Sequence, residues 1–135
     1  MNRQAATAGL LGALVLVAGC GGRVVSAGDV TVLVSARTGA GMDALGSGRL
    51  SVVGGCLGLG DVVVVWPHGT DVVGEEPLRV EVPGVGSVGL GDQVEVGGGF
   101  VVEHEPGTPR DAGPVEVGGV SVPASCAKHD VFLAH

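Results

Sequence analysis

The chain has 135 residues, 27 of them glycine, with only three aromatic side chains (Trp66, Phe100 and Phe132) and 14 acidic against 7 basic residues. That length holds one domain rather than two, and a valine-rich, glycine-rich composition favours strands and turns over helices. A net charge of −7 repels phosphates, so nucleic acid is excluded as a partner and an anionic membrane surface is a poor one for the domain's acidic faces.

The first element is a leader over 1–19. Arg3 is followed by an apolar run, Ala8 to Ala18, that ends in small residues, the pattern of a secretory signal. The run is short of the roughly 20 apolar residues of a transmembrane helix. It closes on Leu16-Val17-Ala18-Gly19-Cys20, which resembles the lipobox of bacterial lipoproteins. That resemblance implies that Cys20 becomes the mature N-terminus and carries the lipid, with the protein on the extracytoplasmic face of the cell membrane. The plainer alternative is an ordinary secretory signal followed by an incidental cysteine. With Cys20 lipidated, Cys56 and Cys126 remain as an even pair in an oxidising compartment. A bridge between them would close a loop of roughly 70 residues and stabilise the fold by about 4 kcal/mol in the chain-entropy model; two buried free thiols are the alternative.

Residues 20–44 read as a lipid-anchored tether with one strand, Val30 to Val34, and 45–135 as the folded domain. Within it, strands are predicted at Arg49 to Val53 and at Asp61-Val-Val-Val-Val-Trp66, the latter a β-branched run bounded by Gly60 and Pro67 and hence a buried central strand. Leu78 to Val82 alternates apolar with charged residues, so one of its faces meets water. Gly84 to Gly91 reads as a turn region and Gln93 to Val96 as a strand. Gly97-Gly98-Gly99 reads as a bulge or turn leading into Phe100 to Glu103. Residues 105–113 form a polar, proline-containing loop. Val115 to Val117 and Val120 to Val122 form a bulged strand or a tight hairpin about Gly118-Gly119, and Val131 to Ala134 is the last strand. Short strands joined by glycine turns imply an all-β fold: a small OB-like or half-closed barrel with one disulfide, or alternatively a two-sheet β-sandwich.

From Leu50 onward, Gly55-Cys56-Leu57, Val65-Trp66-Pro67-His68-Gly69, Gly91-Asp92-Gln93-Val94, Gly97-Gly98-Gly99 and Pro123-Ala124-Ser125-Cys126 follow one another. In this order they resemble a family of small bacterial lipoproteins of uncharacterised function. The resemblance spans about two-thirds of the chain, implies an extracytoplasmic β-domain and supplies no activity.

Chemistry-bearing motifs are few. Gly84-Val85-Gly86-Ser87-Val88-Gly89 matches G-x-G-x-x-G, but a dinucleotide site needs a strand before it and a helix N-terminus after it. Here Pro83 precedes it and another strand follows, so it reads as a hairpin turn. Glu103-His104-Glu105 and His129-Asp130 place imidazoles beside carboxylates, a donor set that zinc or copper accepts, although no H-x-x-x-H or C-x-x-C spacing accompanies them. No serine lies in a nucleophile elbow, and paired carboxylates lack an aromatic platform for a sugar.

The expectation is therefore a lipid-anchored extracytoplasmic binding or interaction module of the cell envelope, not an enzyme, with no cofactor. Its partners would be the membrane through the lipid and an envelope protein. The alternative is a metal-binding lipoprotein using His104 and His129. The expected contact surface is Trp66, Pro67, His68 and Gly69 beside the Gly97 to Gly99 turn, since binding residues often lie at strand ends; the plainer reading has His68 as a turn residue packing the tryptophan.

Overall fold

The computed structural model describes residues 21–36, 42–106 and 113–135; Cys20 and the leader lie outside them. Strands dominate: β1 (Arg23–Ala27), β2 (Val30–Val34), β3 (Ala44–Val53), β4 (Cys56–Leu59), β5 (Val62–Trp66), β6 (Asp71–Glu75), β7 (Leu78–Val82), β8 (Gly86–Gly89), β9 (Gln93–Val102), β10 (Val115–Val117) and β11 (Val120–Val122). A single-turn helix α1 (Ala124–Ala127) and a last strand β12 (Val131–Ala134) follow.

The main sheet runs β1-β2-β4-β3-β9-β12-β5, and β5 also pairs with β2. Six strands, β2, β4, β3, β9, β12 and β5, thereby close on themselves as a ring, with β1 attached outside through β2. β6, β7 and β8 form a separate antiparallel meander, and β10 and β11 a separate hairpin. The all-β reading with a closed or half-closed arrangement of short strands is thus what the chain adopts.

Why the ring closes is visible in the side-chain alternation. Successive residues of a strand point to opposite faces. In β5, Val64 and Trp66 enter one core while Val63 and Val65 enter another. β2 divides likewise, Val32 and Val34 against Leu33, and so does β12, Phe132 and Ala134 against Val131. The first core fills the inside of the ring and extends to Leu78, Val80, Val82 and Val88 of the meander. The second lies outside, between the ring and a cover made by Val117, Val120 and Val122 of the β10–β11 hairpin and by Cys126 and Ala127 of α1. A strand covered on both faces must be apolar along its whole length, which is why β5 reads Val-Val-Val-Val-Trp without alternation. The meander covers one face only, and β7 alternates buried and exposed residues from end to end.

The disulfide joins Cys56 at the start of β4 to Cys126 in α1, with Cα atoms 6.0 Å apart across a separation of 70 residues. Both cysteines are buried in the outer core, so the bridge staples the helical cover to the ring.

Two sequence expectations are corrected here. The described residues 23–34 are not a tether with a single strand: β1 and β2 form a hairpin, and Val32, Leu33 and Val34 are each at most 1% exposed. The sequence 30–34 alternates weakly because, like β5, it is buried on both sides. The Gly97-Gly98-Gly99 segment is not a turn but the middle of β9, at the point where the strand changes neighbours. Residues 93–98 pair with β3 and residues 98–102 with β12. Gly98 bends there with φ 149°, and a Cβ on it would lie 1.9 Å from the carbonyl oxygen of Leu133. Glycine is the residue that permits this approach. The Gly84 to Gly89 motif is only in part the expected turn: the chain turns between Val82 and Gly86, and Gly86–Gly89 is strand β8, paired with β7.

Candidate functional site

The ring has an opening in its wall. β3 pairs with β9 through Ala44 to Arg49 but with β4 only from Leu50 onward. The stretch from Leu45 to Ser47 therefore passes the end of the β4–β5 hairpin without joining it, and an apolar cleft of about 180 Å³ remains between them. Phe132 forms its floor. Alternation in β12 turns this ring inward, where it is 1% exposed. Gly46 is the reason the ring can lie flat against β3: a Cβ at that position would be 3.1 Å from two of its carbons.

Phe100 stands beside the floor as the cross-strand partner of Phe132, with ring centroids 5.3 Å apart and planes at 84°. This edge-to-face arrangement sets the positive edge of one ring against the negative face of the other. Leu59, Val62 and Val64 make the opposite wall. At the mouth, Phe100 is 43% exposed and Leu45 65% exposed. The only polar side chain in the lining is Ser47. In a protein with 14 acidic residues, a cleft lined without one is a selective feature: it offers contact area and no charge.

The size of the cleft narrows what it can hold. Pockets for drug-sized ligands run to about 300–1,000 Å³, whereas an apolar cavity of about 150 Å³ accommodates a benzene-sized molecule. One aromatic ring or one branched aliphatic side chain fits; an extended ligand does not.

The residues singled out from sequence are placed differently. Trp66 is completely buried and its indole Nε1–H donates to the carbonyl oxygen of Leu57 at 3.2 Å. Pro67 is buried as well, so the expected Trp66 to Gly69 contact surface reduces to His68 and Gly69. The turn is held from within by Thr70, whose hydroxyl donates to the Pro67 carbonyl at 2.8 Å. His68 places Nδ1 3.3 Å from the carbonyl oxygen of Ser35, as an exposed turn residue. A large aromatic at a strand end served the core rather than a partner.

His104 and His129 come to the same neighbourhood, around α1. The His104 backbone N–H donates to Asp130 Oδ1 at 2.9 Å, and its Nε2 lies 3.0 Å from the Ala127 carbonyl oxygen. A carbonyl only accepts, so Nε2 carries a proton and is taken up in a structural bond. Cδ2 of His129 lies close to the Gly54 backbone, 3.0 Å from where a Cβ on that glycine would stand. Among the described residues, no three His, Cys, Asp or Glu side chains are arranged to hold a metal ion.

Sequence reasoning missed Leu45, Gly46, Phe100 and Phe132 as a group. The available signal was scarcity: Phe100 and Phe132 are the only phenylalanines in the chain, and they stand together. A scan against known protein families, a search of characterised proteins and a search of solved structures each find no match.

Proposed function

We propose that this is a lipid-anchored, extracytoplasmic binding module of the cell envelope that seats one apolar side chain of an envelope protein in the Phe100–Phe132 cleft. The observation that carries the reading is the cleft: Phe100 and Leu45 lie open to solvent at its mouth, above the buried ring of Phe132 and an uncharged lining. Buried aromatic anchors in small desolvated pockets carry a large share of the affinity in protein interfaces. The anchor rests on the Ala18-Gly19-Cys20 motif. It fits a chain in which no helix among the described residues is long and apolar enough to cross a membrane. A binding role fits the lining better than catalysis, because Ser47 is its one polar side chain and no general base accompanies it there.

The test is a thermal-shift screen of the protein against short peptides differing in one central side chain. Peptides with Phe, Leu or Ile at that position should raise the midpoint and those with Asp or Lys should not, corresponding to about 2.7 kcal/mol at a hundredfold excess over Kd. Phe100→Glu should abolish the shift. Shifts that survive Phe100→Glu, or no shift with any peptide, would overturn the assignment of the cleft.

A further inference from the structure

The first described residues carry information about how such an anchor would hold the domain. Gly22 is not part of a free tether. Its N–H donates to the Gly119 carbonyl oxygen at 2.8 Å, and a Cβ on it would lie 2.2 Å from Cγ1 of Val120 and 2.4 Å from the carbonyl oxygen of Val34. The chain is clamped between β2 and the β10–β11 turn before β1 begins. Two trans peptide units separate the Cα of Cys20 from that of Gly22, so the two are at most about 7.6 Å apart.

The surface around this point is a distinct end of the ring. Ala36 N–H donates to Gly118 O at 2.8 Å, Ser35 N–H to Trp66 O at 2.9 Å, and His68 Nδ1 meets Ser35 O. Gly21, Gly22, Ala36, His68, Gly69 and Gly119 therefore lie together at one end of the ring. Two carboxylates border this end: Asp71, which is paired with Arg23, and the exposed Glu116 of β10. The cleft wall includes the other end of β5: Trp66 ends the strand at the clamp, Val62 begins it in the cleft wall, and four steps of strand separate them by about 13 Å.

We infer that the lipid on Cys20 holds the domain flush against the bilayer, with the Gly118–Gly119 turn and the His68–Gly69 turn facing the headgroups and the Phe100–Phe132 cleft facing away. This rests on the lipid anchor proposed above and adds its geometry. A flexible tether would let the cleft sample every direction, including the bilayer itself, whose acyl chains compete for an apolar site. The clamp removes that competition and presents the cleft to partners arriving from the aqueous side.

The experiment uses the full chain, produced in bacteria that process lipoproteins and reconstituted in vesicles of phosphatidylethanolamine and phosphatidylglycerol. It is compared with a variant carrying a Gly-Ser spacer between Gly21 and Gly22. The mass of the N-terminal peptide first establishes whether Cys20 is acylated. Hydrogen–deuterium exchange is then followed in peptides covering 66–70 and 116–121 at the clamped end and 44–48 and 59–62 at the cleft. The wild type should exchange about tenfold or more slowly than the spacer variant at the clamped end, with equal rates at the cleft and equal vesicle binding. Equal exchange of the two proteins at the clamped end, or slowing at the cleft, overturns the orientation while leaving the anchor intact. An N-terminal peptide without acyl mass overturns the anchor, and the orientation with it.

Discussion

Reducing the Cys56–Cys126 bridge reopens a loop spanning 70 residues between β4 and the helical cover of the ring. In the chain-entropy model that closure is worth about 4.4 kcal/mol at 25 °C. A folded unit of this size has a total stability on the order of 6–17 kcal/mol, so the reduced protein should remain folded but with about a quarter or more of its stability gone. At about 4 °C per kcal/mol, the midpoint should fall by roughly 15–20 °C. The assay is a urea titration followed by the fluorescence of Trp66, the one tryptophan in the chain. It reports the inner core, whereas the bridge lies in the outer one, so any change in its transition reflects the stability of the whole fold and not a local effect on the probe. The Cys56→Ala/Cys126→Ala double variant should lie below the reduced wild type by about 1–2 kcal/mol more, because each missing sulfur leaves a hollow in a packed core. An oxidised-to-reduced difference under about 1 kcal/mol would refute the entropic account, since the closed loop would then constrain little in the unfolded chain. A reduced protein unfolded without urea would refute the other half of the reasoning, that the inner core holds the ring by itself.

Three further outcomes test the packing. Gly98→Ala should destabilise by about 3 kcal/mol or more, because the new methyl group meets the Leu133 carbonyl at an already strained backbone angle; Gly97→Ala, with nothing nearer than 3.9 Å, should change stability by less than about 1 kcal/mol, and equal effects in denaturant titrations would contradict the proposed crossing of β9. Trp66→Ala should cost about 3–5 kcal/mol and His68→Ala under about 0.5 kcal/mol, measured by thermal melting; the reverse order would restore the tryptophan to the surface. Asp71→Asn should shift stability by no more than about 1 kcal/mol, with the difference fading in high salt, because the pair with Arg23 is more than half exposed on both sides and such pairs are weak and screened.

Much of the strand pattern was readable in the chain itself. The unbroken apolar run of β5, the alternation of β7, the Gly118-Gly119 hairpin and the pairing of Cys56 with Cys126 all follow from local rules: burial on two faces, burial on one, positive φ at two successive turn residues, and an even pair of cysteines. β6 escaped notice because Asp71-Val-Val-Gly-Glu75 has too few apolar residues at alternate positions to mark a face, and it is held by pairing with β7. α1 escaped because a single turn has no periodicity to detect.

What the sequence by itself determined is an all-β chain with one pair of cysteines to staple it and a lipobox-like segment near its start; that a strand follows this segment almost at once was decided by the pairing of β1 with β2. What only the tertiary structure decided is which side chains meet. Trp66 followed by Pro, His and Gly is compatible with a surface loop or with a core strand, and the choice fell to the core because β5 is covered on both faces by segments distant in the chain. Leu45, Phe100 and Phe132 carry no local mark of a shared site. They meet because β9 changes partners at Gly98, leaving β3 for β12. A cleft assembled in this way depends on ring closure, which is a property of long-range pairing and not of any short stretch of residues.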